Sequence, residues 1–453
     1  MKLNKQNYLI LGLARSGLAG LNLIYNKHSQ FFLYDQNAAT RMRVYEKTKL
    51  KPNVFILQNL SNKIIDQVDV LIVSPSFELD NKYIAYAKKQ NKTILGELEL
   101  GFQNCHNKFY AITGTNGKTT TTRLLGNMFK CSNKKVSVVG NIGVPVCSII
   151  NNKTKQHAFV CETSSFQLET INKFKPKVAA ILNIGVDHID HHKTLKKYIQ
   201  AKYDIAKNMT KRDCLVLNNN CAPSKKLANK VNCKVYYFDT DKECVGCFVK
   251  EQKIYFNTGK KLIYITKTSN IRLLGKHNLE NVLCAVAMAY LSKIKPKHIE
   301  SAIKSFFALP HRLQLVASHN QVEYINDSKA TNPDATLTAI KAIDKEILLI
   351  LGGSDKGYDY DQMLIDLTNK VKQVVCYGQV SQKILLAANR VGLKNITAYD
   401  TLYDATKYCF DNVAPNQCVL LSPAAASFDQ FENYVDRGLS FEKYVKEFIS
   451  ENQ

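Results

Sequence analysis

The chain has 453 residues, which exceeds what one hydrophobic core normally organises, so we expect about three domains. Hydrophobic residues make up 45% of the chain and charged residues 22%, a balance that excludes a disordered or fibrous protein. The formal net charge of +24 raises the question of nucleic-acid binding. Only nine of the 62 basic residues are arginine, and no arginine-rich helix or zinc-finger spacing occurs. We therefore expect no nucleic-acid partner, and small anionic substrates fit the charge equally well.

The thirteen cysteines are odd in number and scattered, which is typical of reduced thiols in a cytosol. Cys244 and Cys247 have metal or redox spacing, but no second pair of this kind lies nearby, so we interpret them as ordinary thiols. The N-terminus has no small-residue cleavage site, and no apolar run is long enough to cross a bilayer. We expect a cytoplasmic monomer without a membrane partner.

In chain order, three segments run an apolar strand into a glycine-containing turn: YLILGLARSG from Tyr8, FYAITGTNGKTT from Phe109 and ILLILGGSDKG from Ile347. A buried strand that leads through a glycine turn into a helix N-terminus is the α/β arrangement for binding anions. Further strands alternate with helical stretches, which predicts parallel sheets. The region from about 214 to 271 predicts an antiparallel patch. We predict an α/β protein with boundaries near 104–108 and 308–311, where Pro310 would interrupt a helix.

The first turn, GLARSG, departs from the dinucleotide fingerprint GxGxxG at Ala14. Asp35 ends the next strand at about the spacing of a ribose-binding acid. From these residues alone, NAD binding is a fair interpretation.

The second turn has the functional end of a phosphate-binding loop, namely Gly114, Gly117, Lys118 and Thr119, although Ile112 stands at the first glycine position. A lysine there supplies a point charge for the β- and γ-phosphates, and the following hydroxyl can bind Mg²⁺. Glu162 ends a later strand, where an acid could hold the same Mg²⁺. Asp187, His188, Asp190, His191 and His192 cluster further on, either as a metal site or as a surface loop.

Eight segments occur in the order found in the Mur ligase family, and they span nearly the whole chain: GTNGKTT, GNIGVP, ETSSFQLE, LLGKHNLEN, LPHR, NDSKATN, LGGSDKG and LSPAAASFDQF. The chain resembles that family. Within it, SSFQL, NDSKATN and the last segment resemble the members that add D-glutamate to UDP-N-acetylmuramoyl-L-alanine in peptidoglycan assembly.

The resemblance implies three domains. They are an N-terminal Rossmann-like UDP-binding domain (1–106), a central P-loop ATPase-like domain with a mainly parallel sheet (107–308) and a C-terminal Rossmann-like domain that binds D-glutamate (309–453). It also implies that ATP phosphorylates a substrate carboxylate and that an amine then captures the acyl phosphate. ATP and Mg²⁺ would be the cofactors, with UDP-N-acetylmuramoyl-L-alanine and D-glutamate as substrates.

The resemblance assigns the catalytic and nucleotide-binding residues as follows. Catalytic roles fall to Lys118, Glu162, His188, Lys202 and Arg312, and Mg²⁺ ligands to Thr119, Glu162, His188 and Lys202. Lys202 matches the family lysine that CO₂ carbamylates, although sequence alone would class it as a surface lysine. ATP contacts would be Gly114, Thr115, Asn116, Gly117, Lys118, Thr119, Thr120, Asn278, Asn281, Arg312 and Asp327.

The two remaining ligand sites are assigned in the same way. The UDP substrate would contact Arg15, Ser16, Gly17, Asp35, Asn141, Ser164 and Gln167. D-glutamate would contact Lys329, Thr331, Lys356, Ser427 and Tyr434. One departure concerns Ser76, where the family often has glycine, because a side chain there could push the backbone away from the pyrophosphate.

Overall fold

The structure is a computed structural model that describes residues 6–49, 51–75, 77–150, 154, 156–273, 275–307, 310–367 and 369–452, without the side chain of Asp190. Ser76 lies outside the described residues, as do Ala308 and Leu309 at the predicted second boundary. The described residues form three sheets with helices between their strands, which confirms the predicted α/β class.

The first sheet is parallel throughout, with strand order β3-β2-β1-β4-β5. Its central strands are buried because helices cover both faces, and this explains their continuous apolar sequences. The strands are Tyr8–Leu11 (β1), Phe31–Tyr34 (β2), Val54–Ile56 (β3), Val70–Val73 (β4) and Thr93–Gly96 (β5); the helices are Arg15–Ile24 (α1), Ala38–Thr48 (α2), Asn62–Gln67 (α3), Lys82–Lys89 (α4) and Glu97–Gln103 (α5).

The second sheet has the order β14-β13-β12-β11-β10-β9-β6-β8-β7. Its strands are Lys108–Thr113 (β6), Val136–Gly140 (β7), Ala158–Glu162 (β8), Val178–Ile181 (β9), Cys214–Asn218 (β10), Lys234–Asp239 (β11), Gly246–Lys250 (β12), Lys253–Asn257 (β13) and Leu262–Lys267 (β14). The helices are Lys118–Cys131 (α6), Ser165–Leu168 (α7), Ile189–His192 (α8), Leu195–Tyr203 (α9), Ala222–Ala228 (α10), Lys276–Leu291 (α11) and Pro296–Lys304 (α12), with 3-10 turns at Val146–Ser148, Asp204–Ala206 and Thr268–Asn270.

The predicted antiparallel patch is smaller than expected. Only β12 to β14 pair antiparallel, whereas β10 and β11 extend the parallel sheet and β11 pairs parallel with β12. The expectation was wrong for β10 and β11 because α10 joins them as a crossover connection, which suits a parallel pair. Residues 240–245 then join β11 to β12 in parallel, although so short a connection usually joins antiparallel strands.

The third sheet has the order β15-β16-β20-β17-β18-β19 and is parallel except for the β15–β16 pair. Its strands are Gln314–His319 (β15), Val322–Asn326 (β16), Ile347–Gly352 (β17), Val371–Tyr377 (β18), Ile396–Tyr399 (β19) and Cys418–Leu421 (β20). Its helices are Pro333–Ala342 (α13), Asp361–Ile365 (α14), Ser381–Val391 (α15), Leu402–Asn412 (α16) and Tyr434–Glu451 (α17).

The chain divides into two compact units, residues 1–270 with 280–305 and residues 271–279 with 306–453. The first two sheets belong to the first unit, so the boundary predicted at residue 106 stays a prediction. Each of the thirteen cysteines, including Cys244 and Cys247, is a free thiol. Among the described residues, no helix combines the length and apolar character that crossing a membrane requires.

Two buried glutamates of α5 join the first two sheets. Both carboxylate oxygens of Glu99 accept hydrogen bonds from the consecutive backbone amides of Asn172, Lys173 and Phe174, at 2.8–2.9 Å. Glu97 accepts from the backbone amide of Cys147 at 2.6 Å, and burial raises the pKa of its carboxyl group. Because backbone amides satisfy these carboxylates, the two sheets are joined by bonds of fixed geometry rather than by apolar contact alone.

A buried arginine organises the second unit. Arg437 on α17 is 0% exposed, and its guanidinium donates to the hydroxyl and carbonyl oxygens of Ser328 and to the carbonyl oxygens of Gly352, Ala425 and Ala426, at 2.9–3.3 Å. These acceptors follow β16, end β17 and follow β20, three neighbouring strands. One side chain therefore holds together three loops at the same edge of the third sheet.

We predict that Arg437→Met lowers the free energy of unfolding of the second unit by about 3–5 kcal/mol, because it leaves buried carbonyl groups without a donor. Urea unfolding of the full chain measures this. The control is Arg390→Met, since Arg390 is an exposed arginine whose partner Asp361 lies at the surface, and we expect little change there. Equal effects of the two substitutions would contradict the role of Arg437.

Candidate active site

The predicted phosphate-binding loop lies between β6 and α6. Gly117 precedes the helix with a φ of +83°, a conformation that side chains rarely adopt. A Cβ atom at Gly117 would lie 2.1 Å from Oδ1 of Asn281, so both conformation and space require glycine. The same contact brings Asn281, a predicted ATP contact on α11, beside the loop.

The loop is held in shape by the segment that follows β9, the strand next to β6. The side-chain oxygen of Asn183 accepts hydrogen bonds from the backbone amides of Thr115 and Asn116 at 3.1 and 2.8 Å. The hydroxyl of Thr115 accepts from the backbone amide of Gly185 and bonds the Tyr198 hydroxyl, both at 3.0 Å. The loop is therefore preorganised by its neighbours.

Two lysines bond the same loop carbonyl. The ammonium group of Lys118 donates to the carbonyl oxygens of Gly114 and Thr115 at 2.8 and 2.7 Å, and Lys202 on α9 donates to Gly114 at 2.8 Å. Lys202 is only 2% exposed, so it is not a surface lysine. Its burial, and secondly the charge of Lys118, lower its pKa from 10.5 to about 7. Two amines at one glycine turn suit a polyphosphate ligand.

Glu162 ends β8 opposite Ile112 of β6, two residues before the loop begins. The carboxylate is 1% exposed, and its Oε1 accepts a hydrogen bond from the side chain of Asn141 at 2.9 Å. Its Oε2 is buried and has no hydrogen-bond partner among the described residues. Thr119 lies in the first turn of α6, which follows β6, the strand next to β8. A buried carboxylate oxygen without a donor among the described residues fits the oxygen ligands that Mg²⁺ prefers.

His188 lies on the segment that follows β9, with a φ of +51°. Its ring packs edge-on against Phe166, with 4.9 Å between the ring centroids, and its Nε2 is 3.5 Å from a carboxylate oxygen of Asp187. The side chain is about half exposed, so it is available to a ligand. The predicted surface loop describes the half-exposed His188, but it does not describe His192, which is buried.

A cavity of about 300 Å³ gathers four of the predicted UDP-substrate contacts. Its walls come from the α1 N-terminus, the turn after β4, the segment after β7 and α7. The lining residues are Ala14, Arg15, Ser16, Ser74, Pro75, Gly140, Asn141, Gly143, Pro145 and Gln167. A helix N-terminus with an arginine beside it favours an anionic ligand.

Three other predicted substrate contacts are not among the described residues that line this cavity, and they have structural partners instead. A Cβ atom at Gly17 would meet the Gly12 carbonyl oxygen at 1.9 Å. Asp35 accepts from the backbone amides of Leu13 and Asn37 at 2.7 and 2.9 Å. Ser164 forms a capping box with Gln167 at the start of α7. Their substrate roles stay predictions.

In the second unit, the predicted D-glutamate contacts lie on the loops that follow β16, β17 and β20. Lys329 and Thr331 follow β16, Lys356 follows β17, and the buried Ser427 follows β20. The ammonium group of Lys329 lies 3.8 Å from the ring centroid of Tyr434, the first residue of α17. The fold thus brings these segments to one sheet edge, and Tyr434 contributes an aromatic face to a lysine there.

Asp327 follows β16 and is buried. Its carboxylate accepts from the Ser422 hydroxyl at 2.8 Å and from the Leu313 backbone amide at 3.2 Å. Burial raises its pKa from 3.8 to about 7, although the Ser422 bond and the charge of Arg312 oppose the shift. The buried Asn278 also belongs to the second unit. The nucleotide roles of Asn278, Arg312 and Asp327 stay predictions.

Three residues that organise these sites were missed in the sequence analysis, namely Asn183, Tyr198 and Arg437. Asn183 and Tyr198 are single polar residues whose partners lie far away in the chain, so their local sequence carries no signal. Arg437 did carry a sequence signal, because arginine is scarce in this lysine-rich chain and its five fixed donors distinguish it from lysine.

Comparison with known proteins agrees with this geometry. The Mur ligase middle domain matches residues 112–289, and the Mur ligase glutamate ligase domain matches residues 311–425. UDP-N-acetylmuramoylalanine–D-glutamate ligase of Lachnoclostridium phytofermentans is 38% identical over 96% of this chain and 97% of its own. The enzyme of the same name from Clostridioides difficile is 37% identical over 98% and 99%.

Solved structures show the same fold at lower identity. The UDP-N-acetylmuramate-alanine ligase of Thermotoga maritima has a TM-score of 0.59 and 17% identity, covering 98% of this chain and 100% of that one. A pseudomurein peptide ligase of Methanothermus fervidus has a TM-score of 0.59 and 16% identity, covering 99% and 100%.

The chain belongs to the Mur ligase family. Members of this family are ATP-dependent ligases of three-domain α/β architecture that use Mg²⁺. The predicted fold class and family are confirmed.

We predict that Asp327→Asn changes how stability depends on pH. Because the folded pKa is raised, the proton on Asp327 stabilises the second unit fully below pH 3.8, and this contribution is lost as the pH rises through about 7. The stability of the native chain relative to Asp327→Asn should therefore fall by up to ~1.4 kcal/mol per pH unit within that window.

Urea unfolding of both proteins at a series of pH values between about 4 and about 8 measures this difference. The control is Asp344→Asn, at a fully exposed carboxylate, whose curve should run parallel to that of the native chain. A parallel curve for Asp327→Asn as well would contradict the prediction.

Proposed function

We propose that this chain joins D-glutamate to UDP-N-acetylmuramoyl-L-alanine and splits ATP to ADP and phosphate, as a cytoplasmic step of peptidoglycan assembly. The observation that carries the proposal is that relatives bearing one enzyme name, at 36–38% identity, match this chain over 96–100% of its length. The thirteen free thiols suit a reducing compartment.

The chemistry requires activation of an acid. A carboxylate is a poor acyl donor, so the γ-phosphoryl group of ATP is transferred to the alanyl carboxylate, which releases ADP and forms an acyl phosphate. The amine of D-glutamate then attacks the carbonyl carbon, loses a proton, and phosphate leaves as the amide bond forms. Most of the catalysis in such a transfer comes from positioning and charge stabilisation.

The first unit has residues for each part of the transfer. Lys118, at the N-terminus of α6, neutralises charge on the migrating phosphoryl group, and Asn281 lies beside the same loop. Thr119, Glu162, His188 and Lys202 would hold Mg²⁺, which supplies further charge neutralisation when bound. Oε2 of Glu162, which has no hydrogen-bond partner in the described part of the chain, supports this assignment.

The substrate side of the proposal rests on the cavity lined by Arg15, Ser16, Asn141 and Gln167. The N-terminus of α1 and the guanidinium of Arg15 suit a pyrophosphate. Asn141 also bonds Glu162, so one side chain connects the cavity wall to the proposed Mg²⁺ ligand. This contact supports a site in which the acid to be activated lies near the phosphoryl donor.

The assay that tests the proposal supplies UDP-N-acetylmuramoyl-L-alanine, ATP and Mg²⁺ with one amino acid at a time, and measures ADP release and product mass. We expect turnover with D-glutamate and at most a small fraction of that rate with L-glutamate or L-alanine. Lys118→Ala should reduce turnover by at least about 100-fold, because a charge aimed at the transition state is lost. Turnover with L-alanine or L-glutamate but not D-glutamate would refute the assignment.

We also propose that Lys202 carries a carbamate. Its pKa of about 7 leaves much of the amine neutral at neutral pH. A neutral amine can attack the carbon of CO₂, forming an N–C bond and releasing a proton to water. The product is a carboxylate at the end of a long side chain, an oxygen ligand of the kind that Mg²⁺ takes.

Carbon NMR of the protein in labelled bicarbonate tests the carbamate. We expect one carbamate resonance that disappears in Lys202→Met and remains in Lys196→Met, since Lys196 is an exposed lysine on the same helix. Absence of the resonance in the native chain, or its persistence in Lys202→Met, would refute the carbamate proposal. Neither result would refute the proposed amide-forming activity.

A further inference from the structure

Three potential metal ligands meet beside α7 and outside the proposed Mg²⁺ set. Oε2 of Glu169 is 2.8 Å from Nε2 of His191, and its Oε1 is 3.1 Å from Nδ1 of His192. One ligand atom from each of the three residues lies within 4.8 Å of the others. We call Glu169, His191 and His192 the histidine cluster.

His192 is the most constrained member of the histidine cluster. Its side chain is 0% exposed, and its Nε2 bonds the Ser165 hydroxyl at 2.9 Å, which fixes the orientation of the ring. Its Nδ1 is buried and faces Glu169 without a hydrogen bond of acceptable geometry among the described residues. A buried ring nitrogen aimed at a carboxylate, with its other nitrogen held by a hydroxyl, is the arrangement expected of an oriented metal ligand.

We propose that the histidine cluster binds a divalent transition metal of the Zn²⁺ class. Two imidazoles and one carboxylate are the donors that Zn²⁺ takes at sites where three protein ligands leave the fourth position open. Mg²⁺ takes mainly oxygen ligands, so a donor set in which two of the three ligands are imidazoles favours Zn²⁺ instead. The three ligand atoms lie within 4.8 Å of one another, so side-chain movements alone could bring them to metal–ligand distances of about 2 Å.

The histidine cluster is separate from His188, the proposed Mg²⁺ ligand. The Phe166 ring lies against both groups, with centroid separations of 4.9 Å to His188 and 4.4 Å to His191. The ring of His188 lies near the carboxylate of Asp187, whereas the carboxylate of Glu169 contacts the rings of His191 and His192. The two kinds of metal would therefore bind on neighbouring but distinct residues.

The probe is Co²⁺, whose four-coordinate complexes absorb visible light. It is added to the full chain after transition metals have been removed, in a buffer that contains excess Mg²⁺. We expect one equivalent to bind, with a tetrahedral spectrum that Zn²⁺ abolishes by displacement. His191→Asn and Glu169→Gln should each weaken binding by at least about 10- to 100-fold, since even second-shell changes cost that much. Both side chains are partly exposed, so these variants should fold.

Two controls make the result specific. His28→Asn changes an exposed histidine outside the histidine cluster, and His188→Asn changes the proposed Mg²⁺ ligand. Both should keep the cobalt spectrum. The proposal fails if the native chain binds no cobalt, if His191→Asn and Glu169→Gln leave the affinity unchanged, or if the spectrum is lost in His188→Asn and kept in His191→Asn.

Discussion

The proposed active site depends on the two hydrogen bonds that the carbonyl oxygen of Gly114 accepts from lysine side chains. Two lysines donate to it, one from the helix that follows the loop and one from α9. Burial of the Lys202 amine, and secondly the like charge of Lys118, lower the pKa of Lys202. An anion that entered the loop would relieve the repulsion between these like charges. The fold thus holds the charge of Lys118 at a position that suits the predicted polyphosphate, and it favours the neutral amine of Lys202.

Several loops of the fold are positioned by buried ionisable groups rather than by apolar packing alone. Glu97 and Glu99 bind backbone amides between the first two sheets, and Arg437 binds backbone carbonyls at the edge of the third. Such groups are costly to bury, and full hydrogen bonding offsets the cost. Because the partners are backbone atoms, the geometry tolerates changes in the side chains around it.

Local patterns predicted the strands and the glycine turns that follow them, because a buried strand and a turn with positive φ each leave a mark in the sequence. They did not predict the burial of Lys202, which depends on α9 packing over a loop 88 residues earlier. Nor did they give the parallel pairing of β10 and β11, since short strands look alike in either direction. The resemblance to a family supplied the ligand assignments that spacing alone left open, such as the choice between NAD and UDP.

The position of Arg437 near the C-terminal end of the chain also affects the order in which the second unit folds during synthesis. A ribosome synthesises Ser328, Gly352 and Ala425 before the side chain that unites them. While the nascent chain is shorter than this, the three loops lack their common donor, and the carbonyl groups that they will later share must be hydrated. Formation of the third sheet can begin early, but the loops at this edge, where the predicted D-glutamate contacts lie, are completed only when α17 docks.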